Sequence, residues 1–276
     1  MKLLLVGVGT VGGATGLGFL RLGHDVTFYD VLDAKRIELR KQGYKVSDTL
    51  DFNADVIFIC TPESRVEEVV DQLTSHKVQG LKVIRSTVPP GTTRKLQTES
   101  ATYNHVCHNP EFLRESVADY EFMNPHRIII GECCSEHGDM LEELYKPLRA
   151  PIVRVDPTTS EMIKLASNAY LAAQVSFWNQ ISLICEKLGV NSHVVGKACT
   201  LDPRISPYGA SMHGTPYISN CLNKDLDQLI IFGEKLKCDT SFLRAVNELN
   251  NWIATKQGIN LQNELRKLGQ KKKSTF

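Results

Sequence analysis

Short runs of aliphatic and β-branched residues recur through the first 155 positions, each bounded by turn residues and separated by stretches with helical spacing. Lys2–Val6, Asp25–Tyr29, Val56–Cys60, Lys82–Arg85 and Arg127–Ile130 read as buried strands. Gly12–Leu22, Ala34–Gln42, Arg65–Thr74 and Met140–Leu148 read as the helices between them. Strands alternating with helices predict a parallel sheet covered on both faces, and right-handed crossovers narrow this to a doubly wound α/β topology.

The pattern changes at Pro157. Thr158-Thr159-Ser160-Glu161 reads as a capping box with Thr158 as N-cap. An uninterrupted helical stretch follows to Leu188, with Gly189 suited to the C′ position. About 30 residues at 1.5 Å each predict a rod of roughly 45 Å. Its apolar residues, among them Leu165, Ala169, Val175, Phe177 and Trp178, run around most of the circumference, so more than one face must be covered. Such a helix can be a core helix of its own domain, but its length favours one that lies between domains or is shared across a homodimer through residues 159–188. Beyond Asn191 the chain reads as mostly helical. The expected organisation is a sheet domain over 1–156, a smaller all-helical domain over 157–258 and a tail over 259–276. The tail, helical or disordered, ends in the solvated basic run Gln270–Lys273.

Composition narrows the function classes. Lys plus Arg is 32 and Asp plus Glu 31, a formal charge of +1, which lacks the basic excess of a dedicated nucleic-acid binder. Apolar residues at 42% and charged residues at 23% suit a globular fold, and no apolar run reaches the roughly 18 residues of a membrane span. The opening Met1–Val6 starts like a secretory signal but is broken at Gly7, Gly9, Gly12 and Gly13. The eight cysteines show neither CxxC pairs nor a disulfide framework, which predicts free thiols in the cytoplasm. His105, His108 and His126 show no ligand spacing, so no metal is expected.

Gly7-Val8-Gly9-Thr10-Val11-Gly12 matches G-x-G-x-x-G, follows a predicted strand, opens a predicted helix and precedes Asp30 at the end of a second strand. That context predicts a Rossmann-like dinucleotide site. Gly7 permits the tight turn, Gly9 lets the backbone approach a pyrophosphate, and Gly12 allows close helix–strand packing. The helix start at Thr10 and Val11 offers N–H groups and a positive dipole end to the phosphates. Asp30 is placed for the ribose hydroxyls and disfavours a 2′-phosphate, so NAD is expected in preference to NADP. Thr61-Pro62 and Ser86-Thr87 sit at the carboxyl ends of predicted parallel strands, where such folds bind ligands.

Other polar groups stand in segments that composition does not explain. Glu111 and Glu115 are four apart, as on one helical face, and Lys164 and Asn168 interrupt an apolar helix surface. Cys221 precedes a helical stretch, whose dipole would favour its thiolate. Taken singly, the two glutamates also suit a solvated face, Lys164 can snorkel to water, and a lone cysteine is more often inert.

With GVGTVG, STVPPGTT, NPEFLRES, EMIKLASNAY, LDPRIS and CLNKD in order, the sequence resembles the UDP-glucose/GDP-mannose 6-dehydrogenase family from Met1 to about residue 250. The resemblance implies oxidation of the C6 hydroxyl of a nucleotide sugar to a carboxylate, with two hydrides passed to NAD. It implies Cys221 as the nucleophile, Lys164 and Asn168 around the oxyanion, and Asp225 and Thr87 positioning water or the proton acceptor. Glu115 would be the base for thioester hydrolysis, and Thr87 and Glu115 would also border the cofactor. Glu111, Arg204 and Lys224 would lie toward substrate, Arg204 across a dimer interface. Two departures stand out. The family's glycine-rich stretch before the cysteine is here Gly214–Asn220 with one glycine, so that side chains at 217–220 are expected to obstruct the backbone. The family's further α/β nucleotide-binding domain has no counterpart before Phe276. A dehydrogenase of a smaller alcohol or hydroxy acid, and a non-catalytic NAD-binding subunit with a partner chain, stay open as alternatives.

Overall fold

The computed structural model describes residues 1–50, 53–97 and 105–274, with side chains to 268. Among these, one sheet holds β1 (Lys2–Val6), β2 (Asp25–Tyr29), β3 (Lys45–Val46), β4 (Val56–Ile59), β5 (Leu81–Ile84), β6 (Val106–His108), β7 (Ile128–Gly131) and β8 (Ile152–Val155). Their order is β3-β2-β1-β4-β5-β6-β7-β8. The chain leaves β1 toward one edge and returns at β4 toward the other, so the doubly wound expectation holds. Leu3, Leu5, Phe28, Phe58 and Val83 pack on one face, and Leu4, Val6, Ile57, Ile59 and Ile84 on the other. Burial on both faces explains why β1 and β4 are continuous apolar runs rather than alternating ones.

The sheet departs from the fully parallel expectation at one junction. β6 and β7 run antiparallel and share a single pair, His108 with Gly131, while β7 and β8 are parallel. β3 and β6, of two and three residues, are too short to leave a pattern. The helices α1 (Thr10–Arg21), α2 (Asp33–Lys41), α3 (Glu63–Ser75), α4 (Thr92–Leu96), α5 (Ala118–Met123) and α6 (Ser135–Tyr145) connect the strands.

After β8 comes α7 (Pro157–Leu188), the long helix, which ends at Gly189 with φ +69°. Its expected capping box is not formed. Asp156 caps instead: its Oδ1 accepts the N–H groups of Thr158 and Thr159 at 3.0 and 3.2 Å, and Pro157, lacking an N–H, takes the first helical position. Glu161 is thereby free for another task.

Two compact units divide within α7. The first runs from Met1 to Lys164 and the second starts at Leu165. The second holds the rest of α7 with α8 (Ser192–Cys199), α9 (Pro207–Met212), α10 (Asn220–Lys235), α11 (Ser241–Lys256) and α12 (Leu261–Ser274). Leu165, Ala172, Val175, Leu226, Ile230 and Val246 make its core. The side chains of the basic run at 270–273 lie outside the described residues.

In the first unit the opening turns of α7 are tied to the sheet by His108, whose Nδ1 lies 2.8 Å from Ser160 Oγ. Its Nε2 is buried without a hydrogen-bond partner. Burial holds the His108 imidazole down at about 3, below the ordinary histidine value. Protonation therefore favours the unfolded chain. The neutral-state contribution is complete above the unfolded pKa near 6.5 and is lost as pH falls from there toward 3. Between pH 7 and 5 the protein is expected to lose about 2 kcal/mol through this group. Urea denaturation of the parent and His108→Gln at both pH values checks it, since the variant should lose markedly less.

Candidate active site

The carboxyl ends of β1 and β4 lie side by side where the strand order reverses. Gly7, with φ +87°, turns the chain out of β1, and a Cβ there would sit 3.0 Å from the Cys60 carbonyl carbon and oxygen. At Gly12 a Cβ would fall 2.0 Å from the Gly7 carbonyl oxygen, so α1 can approach the turn only without a side chain. Gly9 is the N-cap residue of α1, without a side-chain cap, and a Cβ there would meet nothing within 4 Å. The backbone is thus open at the end of a helix whose first N–H groups, at Thr10 and Val11, point outward.

Asp30, buried at the end of β2, accepts the N–H of Val8 at 2.9 Å and that of Leu32 at 3.0 Å. Lys35 Nζ is 3.1 Å from the Val8 carbonyl oxygen and 3.8 Å from Asp30 Oδ2. Asp30 is therefore locked against the glycine turn. At the end of β4 the Thr61 hydroxyl is buried without a hydrogen-bond partner, while its carbonyl accepts from Ser86 at 2.6 Å. An open glycine backbone, an oriented carboxylate and an orphan hydroxyl at one switch point fit a dinucleotide. Thr87 is half-buried just beyond Ser86, and Pro62 caps the start of α3. Burial pushes the neighbouring Cys60 thiol up to about 12, which leaves it inert at neutral pH.

The loop at 86–93 is held by Glu161, whose carboxylate accepts from Gly91 N–H at 2.5 Å, Thr93 N–H at 2.7 Å and Thr93 Oγ1 at 2.6 Å. Sequence reasoning missed this role, because an acid in a first helical turn looks like a cap.

Lys164 is buried, and its Nζ donates to the Glu111 carbonyl at 2.7 Å and the Glu111 carboxylate at 3.2 Å. Glu111 Oε2 accepts the Leu113 N–H at 2.7 Å. The expected helical face for Glu111 and Glu115 is not formed: residues 109–114 are irregular, and Pro110 together with the Arg85–Asn109 side-chain bond holds them so. Glu111 turns inward to Lys164, whereas Glu115 lies exposed on a single 3-10 turn, Glu115–Val117.

In the second unit, Asn168 Nδ2 donates to Asp225 Oδ2 at 2.6 Å, and both residues are buried. Lys224 Nζ lies 2.9 Å from Asp225 Oδ1 but off the hydrogen-bonding direction, so that oxygen is charge-paired and otherwise unbonded. Ser219 caps α10 by accepting the Leu222 N–H, which places Cys221 in the first turn, exposed and one turn before Asp225.

At one of the four positions 217–220 before Cys221 the structure differs from the expected obstruction. Tyr217 turns into the unit's core and does not obstruct the backbone. Its N–H is nonetheless committed to Asn250 at 2.9 Å, and that of Gly214 to Asn179 at 2.7 Å. Arg204 is 87% exposed and folded onto Asp202 in a bidentate pair.

The family model for the NAD binding domain of the UDP-glucose/GDP-mannose dehydrogenases matches residues 43–149, and that for the central domain matches 158–252. A UDP-glucose 6-dehydrogenase of Bacillus subtilis is 32% identical over 98% of this chain and 69% of its own length. One of Rickettsia conorii is 34% identical over 91% and 66%. The structure of a UDP-glucose dehydrogenase from Pyrobaculum islandicum superposes with a TM-score of 0.83 at 29% identity, covering 91% of this chain and 68% of that one. The chain thus spans about two thirds of the length of these relatives. A glycine turn built for a dinucleotide, two buried polar pairs on successive turns of one helix and the matched domain models agree. The chain belongs to the UDP-glucose/GDP-mannose dehydrogenase family, and its cofactor is NAD.

Proposed function

We propose that the chain oxidises the C6 hydroxyl of a UDP-glucose-like nucleotide sugar to a carboxylate, with Cys221 as the nucleophile. The observation that carries this reading is Cys221 itself: an exposed thiol in the first turn of α10, one turn before a buried carboxylate held by Asn168. The names of the relatives at 32% and 34% identity support the substrate class.

Bound at Gly7–Gly12 and Asp30, NAD supplies the hydride acceptor for both oxidations. The chain's residues do the remainder. The C6 hydroxyl gives up a hydride and passes its proton to a water positioned by Asp225 and Thr87, becoming an aldehyde, and Lys164 and Asn168 stabilise the oxygen as charge develops. The Cys221 thiolate adds to the aldehyde carbon to give a thiohemiacetal. Loss of a second hydride and the hydroxyl proton leaves a thioester. Asp225 and Thr87 orient water, Glu115 takes its proton, and hydrolysis releases the acid and the free thiol. Glu111 positions Lys164, and Lys224 and Arg204 attract the substrate's phosphates.

The stoichiometry tests this. Incubation with NAD and UDP-glucose, and in parallel with GDP-mannose, is expected to yield two NADH per acid with one of them. One NADH per product, or NAD binding without reduction by either, would refute it.

We further infer a homodimer through α7. Tyr170, Phe177 and Ile184 recur every seven residues and are 61%, 56% and 52% exposed, an apolar stripe that a second copy would cover. Phe177→Glu is expected to sediment as a monomer where the parent sediments as a dimer; an unchanged dimer would rule the stripe out. None of the eight cysteines is in a disulfide, which suits a reducing compartment such as the cytoplasm.

A further inference from the structure

We propose that His105, Cys133 and His137 form a binding site for a zinc-class cation, with Cys134 placed to supply the fourth ligand. The histidines alone show no ligand spacing, and the expectation of no metal followed from them. The fold brings a cysteine and two histidines together from three elements, a grouping that the histidine spacing does not show. His105 leads into β6, Cys133 and Cys134 follow β7, and His137 stands in the first turn of α6.

One ligand atom from each of His105, Cys133 and His137 lies within 4.8 Å of the others. Cys133 Sγ is 3.2 Å and Cys134 Sγ 3.0 Å from Nδ1 of His137. An ion holding sulfur at about 2.3 Å and nitrogen at about 2.0 Å in a tetrahedron has a sulfur–nitrogen edge of about 3.5 Å. Both sulfurs thus already lie near that spacing from His137, and His105 brings a third donor within 4.8 Å of Cys133 and His137. Imidazole and thiolate donors select zinc-class ions over magnesium and calcium.

The surroundings suit the role. Cys107, buried behind the cluster, has its sulfur 3.6 Å from that of Cys133 and accepts the Cys133 N–H at 3.4 Å, which fixes the ligand from behind. His105 and Cys134 are exposed, so an ion has a path from solvent. The cluster lies at the amino end of β6, opposite the strand ends that carry the glycine turn, so it is separate from the NAD site. β6 and β7 share only one residue pair, and a bound ion would clip the sheet where its hydrogen bonding is thinnest.

The test uses the full chain, purified without a polyhistidine tag or chelator. Elemental analysis is expected to find about one zinc per chain, and cobalt(II) in its place should show a thiolate-to-metal charge-transfer band with tetrahedral d–d bands. The double variant Cys133→Ser/His137→Ala should lose the metal and the band while binding NAD like the parent, which reports on folding. Cys134→Ala, at an exposed position, should keep the fold and roughly halve the charge-transfer intensity, one of two thiolates being gone. No uptake by the parent, uptake unchanged in the double variant, or a Cys107–Cys133 disulfide in the isolated protein would each overturn the site.

Discussion

Replacing Cys221 by serine is expected to lower acid formation by at least about 10³-fold, because the thioester route has no substitute once the sulfur is gone. A serine hydroxyl at the same helix start is almost entirely protonated near neutral pH and is a far weaker nucleophile than a cysteine sulfur. NAD affinity should not change, since no residue of α10 belongs to the glycine turn. Stability should stay within about 0.5 kcal/mol, as expected for an exposed and nearly isosteric exchange. NADH and acid measured together separate two chemistries. A sequential oxidation should stall after at most one hydride, with aldehyde in place of acid. A simple alcohol dehydrogenase, which needs no sulfur nucleophile, would keep its full rate, and that result would remove Cys221 from the mechanism.

The second large effect is expected at the glycine turn, where two neighbouring substitutions should fail in different ways. At Gly12 an added Cβ would stand 2.0 Å from the Gly7 carbonyl oxygen, a backbone atom that no rotamer change can move aside. Gly12→Ala should therefore push α1 off the end of β1, at a cost of about 3 kcal/mol or more, and abolish NAD binding with it. At Gly9 the added Cβ meets nothing, and the backbone there, at φ −86°, is accessible to alanine. Gly9→Ala should leave the urea midpoint in place but raise the Kd for NAD tenfold or more, about 1.4 kcal/mol, because the methyl group occupies the pyrophosphate's approach. Calorimetric NAD titration beside denaturation resolves the pair. A Gly9→Ala protein that binds NAD like the parent would show that the cofactor does not lie against this turn.

Much of the first unit could be read from local pattern. β1 and β4 are apolar throughout because both sheet faces are covered, and such runs need no partner information to be recognised. The glycine turn was legible because its spacing answers a local steric demand between adjacent elements. α7 was legible as a rod, since helical periodicity over 32 residues leaves little ambiguity. Its cap was not, because Asp156 and Thr158 are both good cap residues and only the path out of β8 chooses between them. The spacing of Glu111 and Glu115 is equally ambiguous as a sign of a helical pair. Their spacing permits a helix, but Pro110 and the Arg85–Asn109 bond hold the segment irregular.

What the sequence determined alone was the elements and the residues able to do chemistry: a dinucleotide turn, an acid at a strand end, a lysine and an amide on one helix, a cysteine before another. These follow from interactions a few residues apart. Only the tertiary structure decided which partner each polar group takes. Lys164 is held by Glu111, Asn168 by Asp225, the 86–93 loop by Glu161, and Cys133 meets two histidines at the start of β6. Separations of 53, 57 and 68 residues close these contacts. A buried polar group must find a partner, but its burial depends on how the elements pack, and no local pattern carries that.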